Sequence, residues 1–194
     1  MKKRPNTMPD AAIQQTVQNL QSAEGYLELG LMFEDRWSLD LPLRQVMSDS
    51  AMYHLNQITD PRGHASTVLY LKGQACRMAE RYPQAIEWFN ELIKIEPDNM
   101  HALLAVAWCH KRTDDLASSI AAMEQAIDCE PDNAIAHYNL ACYLALDGQV
   151  QPCVSRLAQA LKLEPQFRVY ISDETDFDPV RDHPDFQSLV SVSV

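Results

Sequence analysis

Two groups of residues in this chain carry side chains that could do chemistry. His101, Cys109 and His110 lie close together and could ligate a metal or set a thiol beside a base. The run Asp173-Glu174-Thr175-Asp176-Phe177-Asp178 could chelate calcium. It lacks the glycine and the closing glutamate of a calcium loop, so a solvated acidic turn is expected instead. No G-x-x-x-x-G-K-[ST], G-x-G-x-x-G, H-E-x-x-H or G-x-S-x-G motif occurs, which removes the usual anchors for nucleotide, zinc-protease and serine-hydrolase chemistry. No catalytic residue, cofactor or metal site is expected. Cys76, Cys109, Cys129, Cys142 and Cys153 are odd in number and form no C-x-x-C pair, which speaks against a disulfide framework or zinc knuckle and for a reducing, cytoplasmic setting.

The formal net charge is −11, from 27 acidic and 16 basic residues in 194, which argues against a general nucleic-acid or anionic-membrane binder. Lys2-Lys3-Arg4 resembles the start of a signal peptide. Pro5, Asn6, Pro9 and Asp10 then interrupt the apolar run that a signal peptide needs. No stretch approaches the ~18 apolar residues of a membrane span.

The elements that would position any functional group follow a ruler of prolines. Pro97, Pro131 and Pro165 are spaced by 34 residues, and each is preceded by a glutamate, Glu96, Glu130 and Glu164. Laid on that ruler, the blocks 66–99, 100–133 and 134–165 align Gly73 with Ala107 and Ala141, Ala85 with Ser119 and Cys153, and Phe89 with Met123 and Leu157. Each block predicts a helix A, a short turn and a helix B. Each B helix stops before its proline, because the residue preceding a proline is driven out of the α region. Asn99 and Asn133 are candidate caps for the following A helix, and the pair Asp114-Asp115 a candidate cap within the second block. Pro83 and Pro152 fall in the first turns of B helices.

Period and pattern resemble the tetratricopeptide repeat. The resemblance implies an all-α, right-handed superhelical solenoid of three helix-turn-helix repeats over 64–165. The aligned small residues would let helices A and B cross closely. In that register His110 falls on a core-facing position with Cys109 next to it, implying a packed histidine and a buried thiol. Cys153 stands for the small residue of the crossing and should be an inert core thiol.

The flanks divide into residues 1–9, expected to be a disordered arm, 10–63, a helical pair, and 166–194, a C-terminal cap. Within 10–63 a first helix is expected from Asp10 to near Phe33. A second, with Pro42 in its first turn, would carry Leu43, Val46, Met47, Leu55 and Ile58. The segment Gly25–Gly30 resembles the first half of a degenerate repeat, and 10–63 is either such a repeat with an insertion or two capping helices. In the tail a last helix is expected at about 184–192, with Phe186, Leu189 and Val190 inward. A polar-faced cap of this kind keeps the last repeat from exposing its stacking surface.

The resemblance also implies a concave groove lined by the A-helix positions turned away from helix B. These are Thr67, Tyr70, Leu71, Gln74, Arg77 and Met78; His101, Leu104, Ala105, Trp108, Lys111 and Arg112; Ile135, Tyr138, Asn139, Cys142, Ala145 and Leu146. Tyr70, Gln74, Arg77, His101, Trp108, Lys111, Arg112, Tyr138 and Asn139 are the candidate peptide-contacting residues. Three groove positions are basic and none is acidic. Trp108, Tyr70 and Tyr138 are anchors of the type enriched at interfaces. The expected ligand is a protein segment that sets carboxylates beside an aromatic or aliphatic anchor. The clamp with which some family members hold an acidic chaperone tail is absent, its places being taken by Tyr70, Gln74, Ala105, Ile135 and Asn139. The function expected is a non-catalytic protein-interaction scaffold. The alternatives are a homo-oligomerisation module and a small secretion-type chaperone.

Overall fold

A computed structural model describes residues 10–31, 40–61 and 63–191. Every element among them is helical. The chain divides into two compact units, residues 1–95 and 96–194.

The first unit holds α1 (Asp10–Leu31), α2 (Leu41–Asn56), α3 (Ala65–Met78) and α4 (Tyr82–Ile95). The pairs α1–α2 and α3–α4 are antiparallel hairpins, and α3 also packs on α1 and α2. Asp40 caps α2 by accepting from the Leu43 N–H at 3.2 Å, and a proline occupies the first turn. Leu20, Ala23, Leu27, Ala51, Leu55, Val68, Leu71, Ala75 and Met78 form the core where α1, α2 and α3 meet. Residues 1–9, and the region near Phe33 where the first helix was expected to end, lie outside the described residues.

The buried face of the second helix matches the expected one in part: Leu55 is in the core and Met47 and Ile58 pack against it. Leu43 and Val46 are exposed, Val46 by 61%, while Ser48, Ala51 and Leu55 are buried. Small residues let α2 approach α3 closely enough for the Ser48 hydroxyl to donate to the Ala75 carbonyl at 2.7 Å, a contact that a face of Leu43 and Val46 would prevent.

The second unit holds α5 (Met100–Arg112), α6 (Leu116–Cys129), α7 (Ala134–Leu146) and α8 (Val150–Leu163), followed by a short tail. The tail comprises a 3₁₀ turn at Pro165–Phe167, α9 (Arg168–Ile171), a second 3₁₀ turn at Thr175–Val180 and α10 (Pro184–Ser191). Here α5–α6 and α7–α8 pair as hairpins, and α6 packs on α7.

The period survives in atomic detail. Asn99 and Asn133 each accept from the N–H three residues on, Ala102 and Ala136, at 3.0 Å. Each also donates to the glutamate before the proline, Glu96 at 2.7 Å and Glu130 at 3.0 Å, so the Glu-Pro-Asp-Asn loop is clasped from both ends. Ala107, Ala141, Ala85, Ser119 and Cys153 are fully buried, as are Phe89, Met123 and Leu157. Gly73 is needed for the same reason: a Cβ there would lie 2.4 Å from the Phe89 ring. Ser119 shows how close α5 and α6 come, its hydroxyl donating to the Ala107 carbonyl at 3.0 Å.

A further periodic feature lies in the turn between A and B. Glu80, Asp114 and Gly148, one period apart, all adopt positive φ, at 58°, 59° and 73°. Each helix A thus ends in a left-handed residue, a conformation that glycine enters freely and other residues enter at a cost.

At the third loop the repeat stops for a local reason. Phe167 stands where Asn99 and Asn133 stand in the preceding loops. The loop still forms, with the Phe167 N–H on the Glu164 carbonyl at 3.1 Å, but phenylalanine has no side-chain acceptor to cap a following helix. In place of a full A helix the chain makes one turn of 3₁₀ and one of α-helix, Pro165–Phe167 and Arg168–Ile171.

Candidate functional site

The A-helix faces are built by the spacing of their polar and aromatic residues. On α5, His101, Leu104, Trp108 and Arg112 recur at intervals of three and four, which aligns them along one side of a helix. His101 and Arg112 are exposed and Trp108 is half-buried. The Arg112 guanidinium lies 5.6 Å from the centre of the Trp108 ring, within cation–π range. In the first unit, Gln74 and Arg77 are joined by a 2.8 Å hydrogen bond from the Arg77 Nε, and both are half-buried. Tyr70 tilts against Phe89 of α4 with ring centres 6.0 Å apart, so part of its ring serves the hairpin.

Several expected groove positions are buried. Leu71 and Met78 belong to the core that α3 shares with α1 and α2. Ala105, Cys142 and Ala145 are buried in the second unit. Asn139 is half-buried and Ile135 exposed.

Tyr138 is only 8% exposed, because the tail lies on it. Phe167 meets its ring at 5.1 Å between centres and Phe177 at 5.7 Å. The acidic run is therefore solvated only in part: Asp173, Thr175 and Asp178 are exposed as expected, whereas its centre is folded onto the protein. Asp176 is 9% exposed, Phe177 and Val180 are buried, and Asp176 accepts a hydrogen bond from the Lys111 ammonium of α5. Arg181 holds the turn, donating to the carbonyls of Glu174 at 2.8 Å and Ile171 at 3.2 Å and to the Asp178 carboxylate at 3.0 Å. Arg168 donates to the last carbonyls of α10, those of Leu189 and Val190. The sequence carried a sign of this arrangement in Phe177, Val180 and Phe186, whose large apolar side chains do not suit a solvated loop. In α10 only Phe186 is buried, while Leu189 and Val190 are half-covered.

The histidine–cysteine group does not assemble. Cys109 is fully buried, His101 is exposed at the opposite end of α5, and His110 turns to Asp115, Nδ1 to Oδ2 3.3 Å. Burial pushes the Cys153 thiol up to about 12 and lifts the thiol of Cys142 and the phenol of Tyr143 well above their ordinary ranges. None of these groups is a ready nucleophile near neutral pH. No described helix is long and apolar enough to cross a membrane.

Two family models, both described as tetratricopeptide repeat, match residues 66–99 and 122–151. The first coincides with the first block of the proline ruler. No curated protein matches the sequence. Among solved structures, MamA from Desulfovibrio magneticus RS-1 is 18% identical over 87% of this chain and 89% of its own, with a TM-score of 0.61. MamA AMB-1 is 13% identical over 95% of this chain and 94% of its own, also at 0.61. YrrB, described as a TPR protein with an unusual peptide-binding site, is 14% identical over 93% and 95%, at 0.51. At these identities the likeness is one of fold.

Proposed function

From the premise that this chain belongs to the tetratricopeptide repeat family, whose members are generally non-catalytic scaffolds, we propose that it docks a short protein segment on the A-helix faces turned away from the B helices, those expected to line the concave groove. The segment pairs an aromatic or aliphatic anchor with neighbouring carboxylates. The observation that carries this reading is the chain's own tail: Asp176 rests on Lys111 and Phe177 on Tyr138, an acidic-aromatic pair seated on α5 and α7. Trp108 and Arg112 offer the same two chemistries on α5, a ring beside a cation. An acidic ligand would be repelled by most of a surface with net charge −11 and attracted to the cationic side chains of these faces, which favours specificity more than raw affinity. That YrrB is described as binding a peptide fits this reading.

Selection from a random peptide library with the full-length chain tests it. Enriched sequences should place Asp or Glu next to Phe, Tyr or Leu. Trp108→Ala should abolish their binding at any salt, and Arg112→Glu should weaken it most at low ionic strength. Peptides without carboxylates, or binding indifferent to Trp108→Ala, would refute the proposal.

One observation favours self-association as a second reading. Val46 and Tyr53 are exposed on α2 and, with Tyr26, Asp49, Ser50 and His54, line a depression of about 500 Å³. Light scattering at several concentrations, compared with Val46→Glu, decides it.

A further inference from the structure

Where the tail crosses α7, three potential metal donors converge. The Cys142 Sγ and one carboxylate oxygen each of Glu174 and Asp176 all lie within 4.8 Å of one another. Cys142 projects from a helix and is buried, whereas Glu174 and Asp176 flank one tight turn whose backbone is fixed by Arg181 and by the Asp176 N–H on the Glu174 carboxylate at 3.2 Å. Next to them is a polar atom with no use in the fold. The Tyr138 hydroxyl is buried and finds no hydrogen-bond partner among the described residues, although a buried tyrosine usually has one. Tyr138 stands one helical turn from Cys142 on α7, which puts the two on one side of the helix, and its ring meets Phe177, the neighbour of Asp176, at 5.7 Å.

We propose that Cys142, Glu174 and Asp176 form a binding site for one zinc-like divalent cation, with a metal-bound water completing a tetrahedron and partnering the Tyr138 hydroxyl. The donor set selects the metal. A thiolate suits zinc and related transition metals and is foreign to calcium or magnesium sites, which take oxygen. Charge balance favours occupancy. Two carboxylates and the Lys111 ammonium leave one negative charge in this half-enclosed place. Adding a divalent cation while the thiol releases its proton to solvent brings the sum to zero. Lys111 donates to Oδ2 of Asp176, which leaves Oδ1 for the metal and makes Lys111 an orienting residue behind a ligand. Bonds of about 2.0–2.3 Å require the donors to close by about an ångström, a movement within reach of the Glu174 side chain. The site owes nothing to the docking of a peptide, and its test is independent of that reading.

The test is a titration of the reduced, full-length chain with Co²⁺, followed by Zn²⁺. A thiolate-to-cobalt charge-transfer band should grow and saturate at one equivalent, with visible bands of tetrahedral intensity, and Zn²⁺ should bleach both. Cys142→Ala should remove the band, and Cys129→Ser should leave it. Glu174→Gln keeps the buried thiol in place and should shift the titration midpoint by more than the roughly 10–100-fold typical of outer-shell changes. No charge-transfer band, a band that survives Cys142→Ala, or a midpoint unmoved by Glu174→Gln would each overturn the proposal.

Discussion

The rings of Phe177 and Tyr138 meet in a T-shaped pair, 86° between planes and 5.7 Å between centres, which joins the tail to the third A helix. Both rings are buried, and Phe186 lies tilted against Phe177 with ring centres 5.3 Å apart. The tail is thus part of the core of the second unit, although it follows the last repeat in sequence.

Phe177→Ala should therefore destabilise the protein by about 3–5 kcal/mol, the range for deleting a buried phenylalanine. Urea unfolding with an unchanged slope would report it. A loss below about 1 kcal/mol would mean that the tail does not bury this ring in solution.

The helix crossings predict a second effect. Ala107 is fully buried against α6, where Ser119 already reaches its carbonyl, so Ala107→Leu should cost about 1–3 kcal/mol through overpacking. Differential scanning calorimetry checks this, and an unchanged melting temperature would show that the two helices do not cross there.

The left-handed turn residues predict a gain. Asp114→Gly relieves a side chain at φ 59° and should stabilise by roughly 0.5–1 kcal/mol, after the extra flexibility glycine gives the unfolded chain. Gly148→Ala imposes that strain and should cost about 1–2 kcal/mol. Chemical denaturation midpoints moving in opposite directions would bear this out, and midpoints that both stay put would refute it.

Thiol reactivity gives a fourth check. Cys129 alone among the five cysteines is exposed, so at pH 8 one thiol should react quickly with a disulfide reagent and the other four only on unfolding. The sign of the linked pH effect follows from Cys153, whose folded-state pKa is raised to about 12. The neutral thiol is favoured by folding, so its contribution is intact below the ordinary value of about 8.5 and is lost as pH climbs from there toward 12. Cys153→Ala should flatten that alkaline decline in stability. An equally steep decline in the variant would assign it to other groups.

The parts of the fold that were legible in the sequence are those set by short-range rules. Glu96-Pro97-Asp98-Asn99 and its copy at 130–133 contain the helix stop and the next helix's cap within four residues. Gly73, Ala107 and Ala141 mark the crossings by size alone. The positive φ at Glu80 and Asp114 was not legible, because the only glycine in that column is Gly148. The face of α2 was misjudged in part, because hydrophobicity favours Leu43 and Val46, whereas close approach to α3 favours Ser48 and Ala51. Of the candidate site, the sequence placed Trp108 and Arg112 on one side of α5. It could not show that Tyr138 and Lys111 are covered, since Phe177 and Asp176 lie far along the chain and their pairing depends on tertiary packing.

That separation also sets an order of assembly. The hairpins close between neighbouring segments, but Lys111 meets Asp176 across 65 positions. Contacts between near neighbours in the chain form fast and distant ones slowly, so the tail docks after α5 to α8 have packed. It is also synthesised after them, which leaves Tyr138 and the adjoining face of α7 bare on the nascent chain until residues beyond Phe177 have left the ribosome. During that interval the growing polypeptide presents an aromatic surface that the finished protein hides, and a folding helper or a sister chain would meet it then.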